Sequence, residues 1–286
     1  MNMPVLPGTA ERAFRQLQTA ARTGAACAPV RDLIGGAAAV DTAYAVQSAL
    51  VAARVAAGAR IVGRKIGLTA PVVQQQFGID QPDYGVLTAD MEVAPDGVIP
   101  VGATLQPRCE AEIAFVLSRD LPHVDPGMAE VISAVDYLLP AIEIVDSRIA
   151  GWDITVADTI ADNASSGLFI LGQDRRSLRD VDLYACGMVM ECRGGEVSTG
   201  AGAACMGSPL NALRWLAAEM ARRGMPLRAG EVVLSGALGP MVAARPGASF
   251  DVRINGLGAV SVRFAPKGEH HGDCRPHHTR RGAAAG

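Results

Sequence analysis

Two glutamates spaced two apart, Glu110 and Glu112 in RCEAEIAFVLS, are the first residues in this chain whose types and spacing point to chemistry. Read as a strand, the segment alternates. Ala111, Ile113, Phe115 and Leu117 fall on one face, and Glu110, Glu112, Ala114 and Val116 on the other. Neighbouring carboxylates in an apolar strand repel each other and are costly to bury without a compensating positive group. The alternative is the solvated outer face of an edge strand. Glu143, in LLPAIEIVDS, is a lone carboxylate inside a second apolar run. Three acids from two strands form an oxygen-only ligand set, which suits Mg²⁺ or Mn²⁺ over Zn²⁺ or Cu²⁺. Such an ion would act as a Lewis acid on a chelating small-molecule substrate. Lys65, in IVGRKIGLT, is a cation among small and apolar residues. It would balance the acids or stabilise a developing enolate, or else be a surface lysine with its stem laid on apolar neighbours. Asp83 follows a proline in DQPDYGVL and by itself reads as a turn aspartate.

Counting removes most rival chemistries. Cys27, Cys109, Cys186, Cys192, Cys205 and Cys274 include no CxxC pair, so a zinc ribbon or thioredoxin-like site is not expected and free thiols are. Of five histidines, His270, His271, His277 and His278 crowd the C-terminal end, and His123 lies in a turn-like RDLPHVDPG. A histidine-based triad has almost no candidates, and acid–base work falls to carboxylates, lysine, tyrosine or water. The 286 residues carry 26 Lys+Arg against 29 Asp+Glu, a net charge of −3 with no block of one sign, which argues against nucleic-acid or membrane-surface binding. No apolar run reaches the roughly 18–20 residues of a membrane span, and the N-terminus lacks a secretory signal pattern, so a cytoplasmic protein is expected. TGAGAACMG would need Gly at position 205 to complete GxGxxG; Cys stands there, and the segment reads as a loop feeding the next helix.

The elements that must position these residues read as follows. Residues 9–60 are helical, with amphipathic stretches around 9–22 and 41–57, Asp41 as N-cap of the second and Gly58 as its stop. Short apolar runs broken by Gly, Pro and Asp predict strands at IVGRKIGLT, VIPVG, EAEIAFVLS, LLPAIEIVDS and SGLFILG, and again at EVVLSGA, ASFDVRING and GAVSVRFAP. A helix is expected over 127–138, and another from Ser208 as N-cap and Pro209 at N1 to Gly224. Asn255-Gly256 predicts a hairpin turn. Strands and helices do not alternate, so the fold class is α+β: a strand-rich core with peripheral helices. The expected organisation is an N-terminal helical segment (1–60), a β-rich catalytic domain (61–266) and a disordered His-rich tail (267–286).

As a set, GRKIGLT, VQQQFGIDQPDYGVL, LQPRCEAEIAFVL, LLPAIEIVDSRI, DTIADNASSGLFILG and SGALGPMVA closely resemble the 2-keto-4-pentenoate hydratase family of the fumarylacetoacetate hydrolase superfamily. The resemblance runs in order through nearly the whole chain ahead of the tail. It implies a mixed β-barrel or roll core with flanking helices, and a metal triad of Glu110, Glu112 and Glu143 for Mg²⁺ or Mn²⁺. It also implies Lys65 near the substrate's carboxylate and enol, Ser165 of ADNASSG bonding the substrate's oxalyl end, and Asp83 of the PD[FY]G motif in proton transfer or water activation. The implied reaction adds water to 2-hydroxypenta-2,4-dienoate to give 4-hydroxy-2-oxopentanoate, in homo-oligomers that are often pentamers or decamers. The alternatives are a 4-oxalocrotonate decarboxylase, which would lack the PD[FY]G aspartate, or a catalytically silent partner in a complex of pathway enzymes.

Overall fold

A computed structural model describes residues 6, 8–70, 74 and 82–267. The expected tail beyond Lys267, Cys274 and most of the VQQQFGID stretch lie outside the described residues. The apolar runs pair into two sheets. The larger holds β1 (Ile61–Gly67), β2 (Asp83–Thr88), β3 (Glu92–Val93), β5 (Arg108–Leu117), β6 (Val135–Val145), β7 (Ser166–Leu171) and β10 (Val232–Leu234), in the order β2-β1-β10-β5-β6-β7-β3, with β11 (Val242–Ala243) also paired to β5. The smaller runs β4 (Val98–Ile99), β13 (Gly258–Phe264), β12 (Ser249–Ile254), β8 (Gly187–Cys192), β9 (Gly195–Ala201). Parallel pairs such as β1 with β10 sit beside antiparallel ones such as β5 with β6, so the sheet is mixed.

Helices flank the sheets: α1 (Ala10–Thr23), α2 (Arg31–Ile34), α3 (Val40–Ala56), α4 (Met128–Ala134), α5 (Val156–Ala161) and α6 (Pro209–Arg222). In α1 the buried residues Ala10, Ala13, Phe14, Leu17 and Ala20 recur at helical spacing and form one stripe. In α6 the Ser208 hydroxyl accepts the Leu210 N–H, Pro209 opens the helix, and Gly224 leaves it at φ +70°, as the expected start and stop signals require. One apolar cluster joins Leu17 of α1, Tyr44 of α3, Ile113 and Phe115 of β5, Leu213 of α6 and Phe250 of β12. On the opposite face of β5, Ala114 packs with Leu87, Leu139, Phe169 and Leu234. The alternation expected for β5 is present, and both of its faces are covered.

Four local expectations are corrected. The helix expected over 127–138 ends at Ala134, because Val135–Leu138 are taken into β6, where Leu138, Tyr137 and Val135 pair with β5 residues. Asp41 lies in the first turn of α3 and the cap position is Ala39, whose methyl offers no capping atom. Asp83 opens β2 and is buried, so it is a strand residue facing the core of the sheet and not a turn residue. Thr199–Ala201 of the glycine-rich stretch belong to β9, and only Gly202–Ala204 make a short 3-10 turn before α6.

Asp158, fully buried in α5, fastens the N-terminal helical region to the sheet side of the molecule. Its Oδ1 accepts the N–H groups of Val30 and Arg31, each at 2.8 Å. Its Oδ2 accepts the Thr155 N–H and hydroxyl at 2.9 Å and pairs with Arg31 Nη1 at 3.0 Å. Removing the carboxylate leaves those donors unsatisfied and a guanidinium without its buried partner. Asp158→Ala is therefore expected to lower stability by about 3 kcal/mol in urea unfolding; a change below about 0.5 kcal/mol, the range of an ordinary surface substitution, would contradict this account.

Candidate functional site

Strand register performs the first part of the assembly. Glu110 and Glu112 share a face of β5, and β6 places Glu143 directly opposite Glu110. Lys65 of β1 pairs with Leu234 of β10 on one side and Gly85 of β2 on the other. Three strand spacings separate β1 from β6, about 14 Å in a flat sheet. Yet Lys65 Nζ lies 3.2 Å from Glu143 Oε1. The sheet is therefore curled, and the acids and the lysine project into its concave side. The alternative positions for these residues fall away: β5 is central, not an edge strand, and Lys65 is buried at 3% exposure, not laid along the surface.

Missing side chains make the room. Gly67 pairs with Asp83, and a Cβ on Gly67 would overlap Asp83 Oδ1 and stand 3.5 Å from Lys65 Nζ. A Cβ on Gly85 would run into Ser166 Oγ and the Asn163 carbonyl and come within 3.3 Å of Lys65 Cε. Gly236, at φ +95°, turns its N–H onto Glu112 Oε2 at 2.8 Å, a conformation that favours glycine.

Charge balance is unfavourable as it stands. Glu112 and Glu143 are buried, Glu110 is partly exposed, and Asp83 is buried at their side. Burial pushes the Glu110 carboxyl up to about 7, with Glu143 adding to the rise and Lys65 opposing it. Burial, Glu143 and Glu110 together hold Glu112 well above the usual carboxylate range, against the Gly236 N–H. Asp83 is pushed up to about 6, again first by burial, with Lys65 pulling it down. For Lys65 burial favours the neutral amine, but Glu143, Asp83, Glu110 and Glu112 outweigh it and keep the ammonium.

The unsatisfied atoms identify what is needed. Among the described residues, Glu112 Oε1, both Glu143 oxygens and Asp83 Oδ1 are buried without a hydrogen-bond partner; the Lys65–Glu143 contact is an ion pair by distance alone. One carboxylate oxygen from each of Glu110, Glu112 and Glu143 comes within 4.8 Å of the others. Orphaned carboxylate oxygens that converge, with no nitrogen or sulfur donor among them, fit a hard divalent cation such as Mg²⁺ or Mn²⁺. A cavity of about 350 Å³ opens on Glu110 and is walled largely by Ile66, Leu68, Ala204, Ala237, Pro240 and Met241.

The structure thus brings five of the six expected site residues together: Lys65, Asp83, Glu110, Glu112 and Glu143. Ser165 is engaged elsewhere. Its hydroxyl is bonded to Thr159 Oγ1 at 3.1 Å, while the neighbouring Ser166 hydroxyl faces Gly85 beside Lys65. Gly67, Gly85 and Gly236 were not singled out by the sequence reading. The signal was present for all three, since Gly67, Gly85 and Gly236 lie within the quoted GRKIGLT, PDYG and SGALGPMVA motifs, the first two only two residues from Lys65 and Asp83. The expected free thiols are found at Cys27, Cys109, Cys186, Cys192 and Cys205.

Comparison with known proteins shows the family and the fold. The family model described as "Fumarylacetoacetate (FAA) hydrolase C-terminal" matches residues 60–265. A 2-keto-4-pentenoate hydratase from Paraburkholderia xenovorans (strain LB400) is 53% identical over 258 residues, covering 90% of this chain and 96% of that protein. A protein named 2-keto-4-pentenoate hydratase 2 from Dechloromonas aromatica (strain RCB) is 54% identical over 256 residues, covering 89% of this chain and 97% of its own length. The solved structure of 4-oxalocrotonate decarboxylase from Pseudomonas putida G7, complexed with magnesium and adipate, superposes with a TM-score of 0.85 at 35% identity, over 92% of this chain and 100% of that one.

The buried charge excess makes a signed prediction. Glu110→Gln with Glu112→Gln removes like-charge repulsion and desolvation, so the metal-free variant should melt above the metal-free parent by roughly 1–3 kcal/mol of stability. Mn²⁺ should raise the melting temperature of the parent and leave the variant unmoved. A parent indifferent to Mn²⁺ would remove the triad from these three glutamates.

Proposed function

This chain belongs to the fumarylacetoacetate hydrolase family and, within it, to the 2-keto-4-pentenoate hydratases, and from that premise we propose that it is a divalent-metal-dependent hydro-lyase. In this reading it adds water to 2-hydroxypenta-2,4-dienoate to give 4-hydroxy-2-oxopentanoate, in the catabolism of aromatic compounds. The observation that carries the reading is the convergence of three acids with orphaned oxygens upon one buried lysine. It occurs in a chain that shares 53% of its residues with a hydratase over nearly its full length.

Glu110, Glu112 and Glu143 would hold the Mg²⁺ or Mn²⁺. When bound, the ion supplies Lewis-acid stabilisation of negative charge on the substrate's C1 carboxylate and C2 oxygen. The Lys65 ammonium, kept charged by the surrounding acids, faces the same charge and stabilises it further as it grows. Net addition places protons on C5 and C3 and a hydroxyl on C4, while the C2 enol gives up its proton to become the ketone. Asp83 Oδ1 has no hydrogen-bond partner among the described residues, and burial pushes its carboxyl up to about 6 against the pull of Lys65, so it can hold or release a proton close to neutral pH. We assign it to the proton exchanged with C5 or with the water arriving at C4. The apolar cavity walls around Leu68, Ala237, Pro240 and Met241 suit the hydrocarbon end of the dienoate and limit stray water. Ser165 is retained as the residue for the oxalyl end, a role that would require its hydroxyl to leave Thr159.

A 4-oxalocrotonate decarboxylase is the second reading, because a structure of that name superposes closely. The higher identity of the hydratases and the presence of Asp83 in PDYG favour hydration. Residues 61–266 are taken as the catalytic domain, with residues 1–60 as an N-terminal helical segment. Homo-oligomerisation, to a pentamer or decamer, and a cytoplasmic location belong to the same proposal. No helix among the described residues is long and apolar enough to cross a membrane.

Metal-free protein mixed with 2-hydroxypenta-2,4-dienoate should leave the dienol absorbance unchanged until Mn²⁺ is added, and the product should then be 4-hydroxy-2-oxopentanoate. Lys65→Met and Asp83→Asn should each lower kcat by about 10²–10⁴-fold, with the Mn²⁺-induced rise in melting temperature preserved in Asp83→Asn. A persistent dienol band together with CO₂ release from 4-oxalocrotonate would transfer the assignment to the decarboxylase.

A further inference from the structure

Asn163, Ala164 and Ser165 carry φ of +54°, +52° and +54° in succession. Non-glycine residues enter the left-handed region singly, because each brings its Cβ against the following carbonyl oxygen, and three in a row persist only when the surroundings over-determine them. Here one guanidinium supplies most of the restraint. Arg148, largely buried, donates from Nε to Asp162 Oδ1 at 2.5 Å and from Nη2 to the Asp162 carbonyl, while its own N–H reaches Asp162 Oδ2 at 2.8 Å. Its Nη1 donates to the carbonyls of Asp146 at 2.8 Å and Ser166 at 2.7 Å. The residue before the turn, the residue after it and the end of β6 are thus tied to a single side chain. The far side of the turn is held by Asn163, whose amide mimics a peptide. Its Oδ1 accepts the Val86 N–H and its Nδ2 donates to the Val86 carbonyl, both at 2.9 Å.

What the turn touches gives the restraint its consequence. The Asn163 carbonyl and Ser166 Oγ fill the place a side chain on residue 85 would take, and the Lys65 side chain fills the other side of it, with Cε 3.3 Å from that point. The turn also sets the direction of Ser165, whose carbonyl accepts the Asp146 N–H at 2.8 Å. We propose that Arg148 and Asp162 form a positioning pair for catalysis. Locking the left-handed 163–165 turn, they fix the wall against which Lys65 is seated and aim Ser165. Neither residue touches the reacting atoms; both act through the turn. The inference rests on the hydratase reading only for what the positioned groups then do.

Asp162→Asn and the charge-conserving Arg148→Lys test it, the second guarding against a first variant that fails to fold. Each should lower kcat for 2-hydroxypenta-2,4-dienoate by about 10- to 100-fold, the scale of a small displacement of a catalytic group, while Mn²⁺ affinity stays within about twofold because β5 and β6 carry the three glutamates. Ala164→Gly, added to Asp162→Asn, should recover about fivefold of the loss, since glycine takes a left-handed φ without the Cβ clash. Unchanged kcat in both single variants would overturn the proposal, and so would a loss of kcat that comes with equal loss of Mn²⁺ affinity and no recovery by glycine. A parent that does not hydrate the dienoate shows a failure of the functional reading. The clamp is then judged by amide hydrogen exchange at Ser165 and Ser166: faster exchange in Asp162→Asn supports it, and exchange equal to the parent overturns it.

Discussion

Four carboxyl groups lie around a single ammonium in the concave side of an otherwise apolar sheet, and most of the unusual local structure answers to that imbalance. Asp83, Glu110, Glu112 and Glu143 cannot all be ionised beside Lys65 without a large electrostatic cost in a medium that solvates them poorly. The folded chain offsets part of it with an N–H from Gly236 and part with the lysine. The rest is left as oxygens with no partner among the described residues, a cost that the proposed divalent cation would remove on binding. Metal affinity and metal-free instability are in this sense one quantity seen from two states.

Such a site has to be held by something stiffer than itself. Mutual repulsion would push the glutamates apart if they sat on loops. Here Glu110 and Glu143 face each other across the most extensively paired strands of the sheet, flanked by β10 and β7. Curling then delivers Lys65 from three strands away, and glycines at 67 and 85 keep the route of its side chain clear. The left-handed turn at 163–165 is the second place where unfavourable conformation is concentrated, and it abuts the first through Gly85. Strain and charge are both gathered at one end of the concave face, while the opposite face of β5 is plain packing of Ile113 and Phe115.

The legible parts of the sequence were those encoded locally. Alternation in RCEAEIAFVL placed two glutamates on one face of a strand, and the Ser208-Pro209 and Gly224 signals marked both ends of α6. The register that sets Glu110 against Glu143 is a property of two segments together and has no local signature. Asp83 was misread because a preceding proline and a following glycine-containing triplet are turn signals; only pairing with β1 makes the segment a strand. The helix expected to reach 138 lost its last residues to β6 for the same reason, tertiary pairing overriding local preference. Arg148 and Asp162 stood inside quoted motifs, yet nothing in a linear reading tells that one guanidinium spans both ends of a turn.

With no histidine at this site among the described residues, the proposed proton-transfer group has to be a carboxylate, and burial is the means of raising it. His123, the histidine among the described residues, is exposed and paired with Glu130. An aspartate in water is ionised far below neutral pH and is a weak base there. Placed in β2 beside Lys65 and within reach of Glu143's charge, Asp83 is lifted to about 6, into the range a histidine would occupy. Lys65 sets the limit of that rise, because its ammonium pulls the same carboxyl back down. The group proposed for acid–base work and the one proposed to stabilise charge therefore tune each other. Gly67, whose missing side chain lets the two approach, is as much a part of that arrangement as either side chain.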